Sequence, residues 1–309
     1  MENLFTDPFN ILLIAAFIGF FMAFGIGAND VANSMGTSVG ARALTIKQAI
    51  LIAAVFEFLG AFLAGGEVTS TIRKGIVDPN LYTDQVNIFV IGMMSALLAG
   101  GTWLYIASLR GWPVSTTHSI VGAIIGFVLI TKGVDAVSWG KVSNIAMSWV
   151  TSPLFSGILA FSLYISAKKL ILDRANPGKA AITFIPFYSF LVAVVISLVT
   201  ARKGLKHVGI EWTENEVYLF TFIFSIIVAI GTSYFLRRNK EKISGVGGIE
   251  FAFGLLMIVS ASAMAFAHGS NDVANAIGPL AAIVSVVDTG TVGAKATISP
   301  WVLFIGGIG

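Results

Sequence analysis

The sequence predicts an all-α, polytopic membrane protein built on inverted-topology repeats, with broken helices and a re-entrant or broken Ser/Thr-rich hairpin. The second repeat reads as incomplete in this chain. Three observations carry this. Of 309 residues, 56% are hydrophobic and only 11% charged, far too little charge to cover a soluble protein of this size. The apolar stretches are long, which suits helices that satisfy their own backbone rather than short alternating barrel strands. One phrase also occurs twice, as Gly27-Ala28-Asn29-Asp30-Val31-Ala32-Asn33 and Gly269-Ser270-Asn271-Asp272-Val273-Ala274-Asn275, with Asp30 and Asp272 separated by 242 positions. The match extends to Phe24/Phe266 and Gly36/Gly278.

The elements follow in order. Apolar stretches run at roughly 9–40, 46–66, 86–109, 113–131, 141–167, 182–200, 217–236 and 249–287, and a last one starts near Pro300. The N-terminal ten residues lack the basic region and small-residue cleavage site of a signal peptide, so the first stretch is expected to be retained. With the N-terminus outside, the inside loops near 41–47, 110–112, 168–181 and 237–250 hold eleven basic residues against three acidic ones. Basic residues mark the cytoplasmic side, so this orientation is preferred, in a plasma membrane crossed many times. The first motif then enters from outside and the second from inside, which makes the two copies antiparallel. The expected organisation is a first repeat over 1–167 (motif helix, Glu57 helix, Ser/Thr turn), scaffold helices and cytoplasmic loops over 168–248, and the start of the inverted second repeat over 249–309. Under the same offset Gly309 corresponds to position 67, so nothing matches residues 68–131. The missing C-terminal half of the second repeat is expected as the rest of the chain or as a second polypeptide.

Composition excludes several classes. The chain has no cysteine, hence no disulfide, thiolate metal site or cysteine nucleophile. The net charge of +3 reflects loop bias and gives no reason to expect nucleic acid as a partner. His118 and His268 without a third histidine at ligand spacing argue against a transition-metal site, and core histidines satisfied by their neighbours are the commoner case.

The motifs carry the chemistry. Asn29 and Asn33 share a helix face four residues apart, with Asp30 beside them. Gly25, Gly27, Gly36 and Gly40 weaken the helix, and a break would free backbone groups for ions. Carboxylate, amide oxygen and free carbonyl suit a hard cation such as Na⁺. Small residues with asparagines also make ordinary helix contacts, but a buried aspartate in both copies weighs against packing alone. In Trp112-Pro113-Val114-Ser115-Thr116-Thr117-His118-Ser119, Pro113 disfavours helix at Trp112 and three hydroxyls follow at a helix start. That arrangement fits a tetrahedral oxyanion, and equally an ordinary Ser/Thr cap. Glu57 is the third carboxylate in apolar sequence, as a cation ligand, a proton site or half of a buried pair.

The paired Asn-Asp phrases, the Pro-Val-Ser-Thr-Thr-His element and the Phe56-Glu57 pair resemble the inorganic phosphate transporter (PiT) family over nearly the whole chain. The resemblance implies cation-coupled symport of inorganic phosphate through an inverted-repeat core, as a homodimer, with no cofactor besides the coupling ion. It places anion ligands at Ser115, Thr116 and Thr117, and Asp30, Asn271 and Asp272 are expected to complete the phosphate site. Na⁺ is expected at Asn29, Asp30, Asn33, Glu57, Asp272 and Asn275. The family's second Ser/Thr hairpin has no counterpart before Gly309.

Competing readings are a H⁺-coupled phosphate or sulfate permease of the same architecture and, remotely, an intramembrane hydrolase using Ser115 and His118. The amide-rich motif leans toward Na⁺, because a proton needs only a titratable group. No Gly-x-Ser-x-Gly elbow supports the hydrolase.

Overall fold

A computed structural model describes residues 7–204, 212–244, 247–292 and 298–309, without the side chains of 66–75 and 203–204. The described residues are almost all helical. Helix α1 spans Pro8–Gly40, α2 Ile46–Gly75, α3 Val86–Leu109 and α4 Thr116–Lys132. Helix α5 (Trp139–Ala167) runs on as a π-helical turn to Leu172. They are followed by α6 (Pro177–Val199), α7 (Glu214–Arg238), the short α8 (Lys240–Ser244), α9 (Gly248–Asp272), α10 (Ala274–Thr289) and α11 (Pro300–Ile308). Seven spans among the described residues are long and apolar enough to cross a bilayer, and α4, at 17 residues, is shorter. At 1.5 Å per residue α4 reaches about 25 Å, short of a ~30 Å hydrocarbon core.

The two motif segments differ. Helix α1 is continuous for 33 residues straight through Asn29–Asn33, so the expected break at the first motif is not there. Its glycines are tolerated within the helix, because in apolar surroundings the intrahelical bond is the one reliable partner for each N–H. At the second motif the chain is interrupted at Val273, between α9 and α10, where Ala276 and Ile277 N–H both turn back to the Val273 carbonyl. The Ser/Thr hairpin is present as α3, a turn over 110–115, and α4.

Two compact units are distinguished: Met1–Asn33 with Ala54–Ser143 and Ala265–Gly309, and Ser34–Ala53 with Asn144–Met264. In the first, α10 packs on α3, α4 and α11 and is buried almost all round, from Ala274 to Val284. Its core includes Met93, Leu97 and Leu104 of α3 with Ile120, Ile124 and Val128 of α4. Helices α2 and α9 cross here backbone to backbone. A Cβ on Gly60 would fall on the Phe266 carbonyl oxygen, and one on Gly269 on the Glu57 carbonyl oxygen. Only glycine permits that approach.

In the second unit, α6 packs along α7. Ile171, Ala181, Ile185, Tyr188, Leu236, Ile243 and Ala252 form its core. Thr213 and Glu216 close a reciprocal capping box at the start of α7. Helix α5 has no buried residue, an apolar surface expected of a face turned to lipid or to another protein.

Candidate functional site

The polar residues singled out in the sequence meet within the first unit. Helix α3 ends at Leu109, Gly111 adopts φ +65°, and Pro113 keeps the chain extended until Ser115 caps α4. The Ser115 hydroxyl accepts from His118 N–H at 3.3 Å, satisfying one of the free N–H groups of the first turn. Thr116 and Thr117 follow as the first two residues of α4, their N–H groups beyond the reach of any intrahelical acceptor.

Two asparagines hold this turn. Asn29 donates through Nδ2 to the Trp112 carbonyl at 3.0 Å and to Ser108 Oγ at 3.4 Å, and its Oδ1 accepts from Val114 N–H at 3.2 Å. A buried amide spent on three partners of the turn is a clamp. Asn275 donates through Nδ2 to Thr116 Oγ1 and Thr117 Oγ1, both at 3.2 Å, and is almost fully buried. Asn33 and Asn271 are exposed, and their amides donate to the neighbouring Asp30 Oδ1 at 3.3 Å and Asp272 Oδ1 at 3.4 Å. The four asparagines therefore divide into two that fix the hydroxyl turn and two beside the aspartates.

The three carboxylates converge on His268. Its Nε2 lies 2.9 Å from Asp272 Oδ2 and 3.7 Å from Asp30 Oδ2, and its Nδ1 lies 3.6 Å from Glu57 Oε1. Asp30 is buried, and Glu57 Oε1 is buried with no hydrogen-bond partner. Ligand atoms of Asp30, His268 and Asp272 lie within 4.8 Å of one another, close enough for one cation. Three carboxylates in a low-dielectric setting repel one another, and a cation relieves that strain. The backbone crossing at Gly60 and Gly269 places Glu57 and His268 side by side. Thr116, gripped by Asn275, also neighbours Asp30, so the hydroxyl turn and the carboxylate cluster are contiguous.

Reading the sequence alone left His268 with the ordinary core histidines. Its signal was its place immediately before the second Gly-Ser-Asn-Asp phrase. The clamp role of Asn29 was also missed, since it joins residues 83 to 85 positions apart.

The described residues define a helical, multi-pass membrane protein in which a hydroxyl-rich helix start and a carboxylate cluster lie side by side. Residues 26–309 match the family model described as the Phosphate transporter family. The chain is 48% identical over 304 residues to a "Putative phosphate permease" of Haemophilus influenzae, covering 96% of this chain and 72% of that protein. It is 40% identical to "Inorganic phosphate transporter 2-1, chloroplastic" of Arabidopsis thaliana, over 94% of this chain and 54% of that one. A solved structure, "The sodium-dependent phosphate transporter", is 40% identical and superposes with a TM-score of 0.88 over 96% of this chain and 73% of its own. The chain belongs to the phosphate transporter family.

Proposed function

We propose that the protein imports inorganic phosphate by symport with Na⁺, binding both at the junction of the hydroxyl turn and the carboxylate cluster. The observation that carries this is Asn275 bonding Thr116 and Thr117 while its own motif supplies Asp272 to the cluster. One short phrase thus touches both halves of the site. Phosphate oxygens would be met by the Thr116 and Thr117 N–H groups at the start of α4 and by the hydroxyls of Ser115, Thr116 and Thr117. Asp30 or Asp272 would accept a hydrogen bond from the hydroxyl of HPO₄²⁻, with Asn271 at the rim. Na⁺ would be held by carboxylate oxygens of Asp30, Glu57 and Asp272, with amide oxygens of Asn33 and Asn275 completing its oxygen shell. The amide of Asn29 acts by fixing the turn.

Charge decides how the two solutes are coupled. A dianion beside three carboxylates is repelled, and a cation between them converts that repulsion into attraction. Phosphate therefore binds well only after Na⁺, and the name of the similar sodium-dependent structure supports this choice of ion. A second reading, H⁺ coupling, draws on His268 as a titratable group inside the cluster. In keeping with the sequence reading, 1–167 would form the first repeat, 168–248 the scaffold and 249–309 the opening of the inverted repeat. The working form would be a homodimer in the plasma membrane, N-terminus outside.

Radiolabelled phosphate uptake into proteoliposomes tests this. An inward Na⁺ gradient at equal pH should accelerate uptake, and sulfate should compete poorly. Uptake driven equally by a pH gradient in Na⁺-free buffer would replace Na⁺ by H⁺.

A further inference from the structure

The second unit contains a cavity of about 570 Å³, within the size range of binding pockets. It is lined by Ala41, Arg42, Ala43, Phe235, Glu250, Phe251, Gly254, Leu255 and Ile258. Its polar and apolar lining are segregated. Arg42 lies in the turn between α1 and α2 and Glu250 in the first turn of α9, both exposed, whereas Leu255 and Ile258 lie one and two turns further along α9. Helix α1 ends at Gly40, α7 ends at Arg238 and α9 starts at Gly248, so the charged end of the cavity is at the level where membrane helices terminate. The apolar end extends toward hydrocarbon depth.

Two further observations concern this end. Arg42 has φ 58°, the one non-glycine residue in the left-handed region among the described residues. That conformation closes the end of α1, where Arg42 N–H bonds the Val39 carbonyl and Ala43 N–H the Ser38 carbonyl, both at 2.9 Å. Among the described residues no ion pair joins Arg42 to Glu250, although both line the same cavity. A positive and a negative side chain at one mouth match a ligand that carries both charges itself. Phe251 is also stacked on Phe235, ring centroids 6.1 Å apart, with Lys242 Nζ 5.9 Å from the Phe251 ring, which gives the apolar wall a fixed face and adds positive charge at the rim.

We propose that this cavity binds an ethanolamine phospholipid of the surrounding membrane. Arg42 meets the headgroup phosphate, Glu250 the primary ammonium, and Phe251, Leu255 and Ile258 the upper part of an acyl chain. An N-methylated choline headgroup has no N–H for Glu250, and an anionic glycerol headgroup leaves its carboxylate unpaired.

The full chain, stripped of lipid in detergent and reloaded with phosphatidylethanolamine, phosphatidylcholine or phosphatidylglycerol of the same acyl composition, is examined by native mass spectrometry. The ethanolamine lipid should be retained roughly two- to fivefold over the choline lipid, the scale of an exposed ion pair. Glu250→Gln should erase that preference while leaving retention of the choline lipid unchanged. Arg42→Gln should lower retention of all three lipids. Gly254→Leu, which fills the cavity without touching a charge, should do the same whatever the headgroup. Equal retention of ethanolamine and choline lipids by the unaltered chain would overturn the proposal. So would a preference that survives Glu250→Gln, or strongest retention of the glycerol lipid. Should Arg42→Gln fail to fold, the unaltered chain and Glu250→Gln decide it alone. None of these readouts involves phosphate transport, so the two proposals stand or fall separately.

Discussion

Asn29 and Asn275 apply the same amide chemistry to two parts of one turn, and their contributions separate experimentally. Asn29→Ala leaves Val114 N–H and the Trp112 carbonyl without their partner, a cost of about 1–3 kcal/mol for buried polar groups. It should lower the melting temperature in detergent and weaken phosphate affinity together. Asn271→Ala, at the equivalent place in the second motif, removes one exposed bond to Asp272 and should leave the melting temperature within error. Asp30→Asn and Asp272→Asn remove cation ligands without opening a cavity. Each should raise the Na⁺ concentration for half-maximal uptake by at least about tenfold, with Asn33→Ala smaller because a neutral amide contributes less. An unchanged Na⁺ dependence in either aspartate variant would remove that residue from the cation site. Replacing Ser115, Thr116 and Thr117 together by alanine should weaken phosphate affinity in a folded protein. The sequence showed these residue types at once, because a carboxylate between two amides in apolar sequence has few innocent explanations. It did not show which asparagine does what, since the choice depends on contacts between segments far apart in the chain.

Among the helices, the decisive element is the α2–α9 crossing. Gly60→Ala and Gly269→Ala each drive a methyl group into a carbonyl oxygen of the facing helix, where no side chain can yield. Each should destabilise by about 1–3 kcal/mol, at the upper end if the backbone cannot part, and displace Glu57 from His268. Gly36→Ala, with open space around its Cβ, should instead be neutral or stabilise α1 by about 0.5–1 kcal/mol. Thermal unfolding of the three variants in one detergent checks the contrast. Glycine alone therefore does not report its own role. The same residue type near the first motif suggested a broken helix, but α1 stayed whole, while Gly60 drew no attention yet fixes a helix crossing. The long apolar stretches were legible as helices because a run of that length satisfies its backbone in a bilayer only as a helix, as for α6 and α7. Helix α10 was legible as apolar but not as wholly enclosed, since burial on every side depends on its neighbours.

Taken whole, the absence of cysteine makes the protein a ready background for topology mapping. Single cysteines at Asp84 and Asp135 should react with a membrane-impermeant maleimide in intact cells, whereas those at Lys179 and Lys240 should react only after the membrane is opened. The reverse pattern would refute the N-outside orientation, and labelling of all four from outside would refute the alternation on which the antiparallel entry of the two motifs rests.

The hydrogen bonds from Asn275 to Thr116 and Thr117 also set a timetable. The partners are separated by 159 and 158 positions. At about 5–20 residues per second, a ribosome needs roughly 8–32 s to reach the asparagine after the threonines have emerged. Throughout that interval Thr116 and Thr117 lack Asn275, and of the two asparagines only Asn29, made well before them, is on hand to hold the turn. Every newly made copy thus passes through a stage in which the turn has at most one of its two clamps. Premature release of the nascent chain in that window would leave a hairpin with no means of completing its grip.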